Sequence, residues 1–107
     1  VATLECMARM AGAVQDVRGD YPGWAYRKES PFRDMAVEVY QDMYGKEPEI
    51  QAIHAGLECG LLAAKIPGLE CISIGPDMKD IHPTEEKLSI SSTARVWDYV
   101  LKLLERA

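Results

Sequence analysis

Residues 50 to 74 limit what this chain can fold into more than any other stretch. A short β-prone run, Ile50 to Ile53, leads into the turn His54-Ala55-Gly56. An apolar segment from about Leu57 to Lys65 follows, then the breaker Pro67-Gly68 and a second run, Leu69 to Ile74. A strand–helix–strand crossover of this length predicts a right-handed βαβ unit with parallel strands. Ligands bind beyond the carboxyl ends of such strands. The segments leaving those ends are His54-Ala55-Gly56 and Gly75-Pro76 onward to His82, so parallel pairing would put both histidines of the chain on one sheet edge. The fold class expected is α/β, a partial mixed sheet with a βαβ unit and flanking helices.

The helices around this unit are marked by their ends. Thr3 is a candidate N-cap for a first helix reaching about Val17, with Leu4, Met7, Ala8, Ala11 and Val14 at helical spacing. Arg18-Gly19-Asp20 breaks it, and Trp24 and Tyr26 alternate with small or polar residues as in a short strand. Ser30-Pro31 starts a second helix and Gly45 closes it. Its apolar face runs through Phe32, Met35, Ala36, Val39, Tyr40 and Met43. A last helix, about Ser89 to Arg106, presents Ala94, Trp97, Val100, Leu101 and Leu104 on one face.

Composition excludes some partners. The formal charge of −5 leaves no basic stripe to neutralise phosphates, so nucleic acid is not expected. No apolar run approaches the roughly 20 residues needed to span a membrane. Three cysteines, Cys6, Cys59 and Cys71, have no CxxC spacing and read as reduced thiols of a cytoplasmic protein.

Two loops hold candidate chemistry. In Gly75 to Glu86, GPDMKDIHPTEE, His82 stands among Asp77, Asp80, Glu85 and Glu86. It reads as a metal ligand or general base, or as an ordinary surface histidine in a turn. A catalytic zinc needs about three protein ligands, more than one histidine supplies. In HAGLECG, His54 to Gly60, Gly56 either opens its backbone N–H to a carboxylate or simply supplies a positive φ. Cys59 with His54 could form a nucleophilic pair, but a small thiol on the inner face of a short helix is the commoner explanation of Cys59.

The YPGW stretch and the block IHAGLECGLLAAKIPGLECISIGPDMKDIHPTEE resemble the C-terminal part of the aminoacyl-histidine (Xaa-His, β-alanyl-histidine) dipeptidases. These are carnosinase-like members of the zinc aminoacylase/carboxypeptidase clan, and the resemblance covers essentially the whole chain. It implies a segment of a longer enzyme with a two-metal catalytic domain interrupted by a lid domain. Residues 1–21 would be the end of a lid helix, and 22–107 the C-terminal part of the metallopeptidase catalytic domain. His82 would be a zinc ligand, Gly56 and His54 would line the substrate pocket, and Glu86 would support His82 or cap a helix. The family places Ser or Thr directly after this His, whereas here Pro83 follows, which confines His82 to extended backbone.

The family's other metal ligands and its paired glutamates have no counterpart in this sequence. The resemblance therefore implies hydrolysis of an Xaa-His dipeptide by a metal-activated water only in the longer protein. In this segment it implies no catalytic residue and no activity alone. An isolated piece would leave a sheet edge and an apolar face uncovered, predicting a homo-oligomer or strand-swapped assembly. The alternative is a free-standing, non-catalytic α/β binding or oligomerisation module.

Overall fold

A computed structural model describes residues 1–53 and 58–107. Among these residues, four helices and one two-stranded sheet follow each other in the order α1 (Ala2–Met10), α2 (Pro31–Tyr44), α3 (Glu58–Lys65), β1 (Met78–Lys79), β2 (Lys87–Leu88) and α4 (Ile90–Arg106).

The caps of α2 are those its sequence signals. The Ser30 hydroxyl accepts from the Arg33 amide at 3.2 Å, Pro31 stands at the first helical position, and Gly45 ends the helix with φ 66°. A second bond set fixes the same end from far along the chain. One Glu70 carboxylate oxygen accepts from the Ser30 hydroxyl at 2.7 Å and from the Phe32 amide at 2.9 Å. The segment before the candidate loop is thus tied to the start of α2.

The helix α1 is shorter than expected, ending at Met10 instead of about Val17. The reason is Gly12, at φ 68°. The Ala13 amide donates to the Ala8 carbonyl at 2.8 Å and the Gly12 amide to Arg9 at 3.1 Å, which is a Schellman ending with glycine at C′.

The core lies where α2 meets α4. Ala36, Val39, Tyr99 and Leu103 are buried, with Met35, Tyr40, Met43, Tyr44 and Ile72 packed around them. The Tyr99 hydroxyl donates to the Ala36 carbonyl at 2.7 Å, and the Tyr40 and Tyr99 rings meet edge-on at 5.6 Å. At the rim, Arg106 reaches Glu38 and Asp42 at 3.1 and 3.2 Å.

This packing corrects the expected inner face of α4. Trp97 and Leu104 are 62% and 70% exposed, while the buried residues are Ser92, Tyr99 and Leu103. Positions 97 and 99 are about 200° apart around a helix, so the helix carries apolar residues on two opposite sides. Only the Tyr99 side offers a hydroxyl that can satisfy a backbone acceptor on α2.

Neither Ile50–Ile53 nor Leu69–Ile74 forms a ladder, so the βαβ unit is not formed among the described residues. The sheet that does form is antiparallel and lies later in the chain. The fold is mixed α/β in this coarser sense. Instead of pairing, the stretches 48–53 and 71–75 line a cavity of about 930 Å³, together with residues 24–27. Parallel pairing requires a partner on the hydrogen-bonding edge about 4.8 Å away, and here that space is a void.

The chain is also far from self-contained. Its radius of gyration is 19.1 Å, against about 13 Å for a compact domain of this length. It exposes 8946 Å², against about 6,000 Å² for a compact monomer of its mass.

Candidate functional site

The loop around His82 is more ordered than a plain connection. Met78 pairs with Leu88 and Lys79 with Lys87, so residues 80–86 form the tip of a short antiparallel hairpin. Reversing the chain within this tip takes left-handed backbone at two non-glycine positions, Asp80 (φ 52°) and His82 (φ 84°). The extended backbone expected for His82 ahead of Pro83 is therefore not adopted. Asp and His tolerate this region better than most residues, at a cost of about 1–3 kcal/mol each.

The base of the hairpin is bolted to α4. Ser92 is 3% exposed, and its hydroxyl accepts from the Asp77 amide at 2.8 Å while donating to the Ser89 carbonyl at 3.0 Å. The Ser89 amide in turn donates to the Asp77 carbonyl at 3.0 Å. Ser89 is also the N-cap of α4, accepting from the Ser92 amide at 3.3 Å. Sequence pattern placed the helix start at about Ser89 but did not point to Ser92, whose inward position depends on the rotation of α4.

Two of the four acids expected around His82 have other partners. The Glu85 carboxylate accepts from the Thr84 hydroxyl at 2.8 Å, and Asp77 faces Arg95 at 3.5 Å. The Glu86 amide donates to the Pro83 carbonyl at 3.2 Å, closing a turn directly behind His82. Among the described residues no group of three or more His, Cys, Asp or Glu side chains is placed to hold a metal ion. These residues do not fit a complete metal centre. The chain brings one imidazole on a braced hairpin tip.

His54 and Gly56, the other expected site residues, lie outside the described residues, as does one half of the expected Cys59–His54 pair. The first turn of α3, immediately after them, is closely surrounded. A Cβ on Gly60 would come within 2.9 Å of the Pro22 carbonyl oxygen and 3.4 Å of Trp24 Cβ, so the YPGW turn rests on α3 at its glycine. Burial, together with the neighbouring Glu58 and Cys59, pushes the Tyr21 hydroxyl up from its ordinary value. On the other side the Cys59 thiol points at the Ile72 carbonyl at 4.0 Å. Burial, with Cys59 beside it, pushes the Cys71 thiol up. The signal for this contact was the glycine of HAGLECG that stands inside a helix, where glycine is otherwise unfavourable.

The described residues define a mixed α/β piece with an open cavity, a braced histidine and a large uncovered surface. Over 105 residues, 98% of its length, the chain is 38% identical to the cytosol non-specific dipeptidase of Escherichia coli (strain K12). It spans only 22% of that protein. No protein-family model matches the chain. No described helix is long and apolar enough to cross a membrane.

Proposed function

We propose that this chain is the C-terminal segment of a cytoplasmic, zinc-dependent dipeptidase. The observation that carries this reading is the 38% identity running through 98% of the chain into a dipeptidase several times longer. The exposed surface supports it: the surplus of roughly 3,000 Å² over a compact monomer falls within the range of obligate interfaces. The cavity between 48–53 and 71–75 supports it as well, because it leaves room for a strand supplied by the rest of the protein.

In this reading residues 1–21 belong to the end of a lid domain and 22–107 to the catalytic domain. His82 is one ligand of a two-zinc centre whose other ligands lie elsewhere, and Glu86 braces the turn behind it. Gly56 and His54 take part in binding the dipeptide substrate. No reaction step rests on this chain alone, and the isolated segment is inactive. The segment's uncovered surface draws it into a homo-oligomer when the remainder is absent. The substrate class is an Xaa-His dipeptide, a preference that the resemblance implies; the relative named above is a non-specific dipeptidase.

The test compares the segment with the full-length gene product on an Xaa-His dipeptide and on a dipeptide lacking histidine. The full-length protein should cleave Xaa-His in a chelator-sensitive manner, and the segment should cleave neither. Absence of any metal-dependent dipeptide cleavage by the full-length protein overturns the reading. Equal cleavage of both substrates removes only the histidine preference.

A further inference from the structure

Cys59 and Cys71 stand twelve positions apart in sequence, on either side of the Pro67-Gly68 turn, and meet in space. Cys59 lies in the first turn of α3, and its thiol is 4.0 Å from the carbonyl oxygen of Ile72, the residue after Cys71. Both cysteines are partly shielded, whereas Cys6 is exposed on α1. The Cys71 thiol has Cys59 as a direct neighbour, and burial pushes it up from its ordinary value. The two flanking segments are those that lead to the candidate site residues: Gly56 lies three positions before Cys59, and the hairpin begins seven positions after Cys71.

We infer that Cys59 and Cys71 are a reversible dithiol–disulfide site that takes a peroxide as its oxidant. The Cys59 sulfur attacks one oxygen of hydrogen peroxide, the O–O bond breaks, the thiol proton goes to the departing hydroxide to make one water, and Cys59 becomes a sulfenic acid. The Cys71 sulfur then attacks Cys59, the S–O bond breaks, and a second water leaves. The pair loses two electrons and two protons in all, and a dithiol reductant restores both thiols by exchange. Cys71 takes the resolving role because it is the thiol directly beside Cys59, with burial pushing it up from its ordinary value. The crosslink joins α3 to the stretch before the hairpin, so it stiffens the path between the two candidate loops. This inference does not depend on the dipeptidase reading, since it concerns only the thiols and their geometry.

The experiment treats the full-length reduced protein with hydrogen peroxide at about one equivalent, blocks remaining thiols with iodoacetamide, and digests with trypsin without reduction. Cleavage after Lys46, Lys65 and Lys79 separates the two cysteines. Peptides 47–65 and 66–79 should then appear joined, and a dithiol reductant should release them. Cys59→Ser and Cys71→Ser should each abolish the joined species, Cys59→Ser leaving Cys71 alkylatable. Cys6→Ser should leave the joined species intact. Joined peptides that include Cys6 at equal yield, or sulfinic acid at Cys59 in the wild type with no joined species, would overturn the inference. Equal alkylation of both thiols before and after peroxide would overturn it as well.

Discussion

Replacing Ser92 by Ala tests whether the His82 hairpin is held from its base. The buried hydroxyl makes two bonds, from the Asp77 amide at 2.8 Å and to the Ser89 carbonyl at 3.0 Å. Its loss leaves the Asp77 amide without its partner, which costs about 1–3 kcal/mol for a buried donor. Asp77 itself is exposed, so water can partly replace the bond and the lower half of that range applies. Local opening at Asp77 and Ser89 should therefore become about 5- to 30-fold more frequent. Ala is a better helix former than Ser by a few tenths of a kcal/mol, so a global melt blurs the effect. Hydrogen exchange at the Asp77 and Ser89 amides isolates it. Ser91→Ala is the control, since the Ser91 hydroxyl shares only a 3.3 Å contact with Ser89. Unchanged protection at Asp77 in Ser92→Ala, or an equal loss in Ser91→Ala, would refute the bracing role.

Three further outcomes are expected. The bonds from Ser30 and Phe32 hold the Glu70 carboxyl below its ordinary value of 4.5. Its contribution is complete above that value and disappears as pH falls through the lowered one, so the Phe32 amide resonance should titrate in that acid window and cease to do so in Glu70→Gln. Gly60→Ala should destabilise despite Ala's higher helix propensity, because the new methyl meets the Pro22 carbonyl at 2.9 Å; a higher denaturation midpoint would contradict the contact. Tyr99→Phe should cost about 0.5–1.5 kcal/mol in denaturant unfolding through loss of the bond to Ala36, and a neutral result would mean that the bond adds nothing net.

Local chemistry was legible in the sequence where it acts within a few residues. The Ser30-Pro31 start and Gly45 stop of α2, the end of α3 before Pro67-Gly68 and the start of α4 at about Ser89 all appear where the sequence places them. Gly12 carried the same kind of signal, and the apolar spacing that continues through Val14 hid it. What depended on distant partners was not legible. Ile50–Ile53 and Leu69–Ile74 have strand composition, but a ladder needs a neighbouring edge, and the described residues leave a cavity there. The face of α4 was misread because both of its sides are apolar, and Tyr99 meets α2 where Trp97 does not. For the site, His82 stood out by residue type alone, whereas its hairpin, its left-handed backbone and the Ser92 brace depend on pairing between residues well apart in the chain.

The central claim is that His82 is one arm of a two-metal dipeptidase centre completed elsewhere in the protein. Metal content of the full-length protein and of His82→Ala, measured by mass spectrometry after gel filtration, tests it directly. The account predicts about two divalent ions per wild-type chain and loss of at least one in His82→Ala, with dipeptide cleavage falling in step while the fold is retained. Wild-type metal content and activity in a folded His82→Ala protein would contradict it.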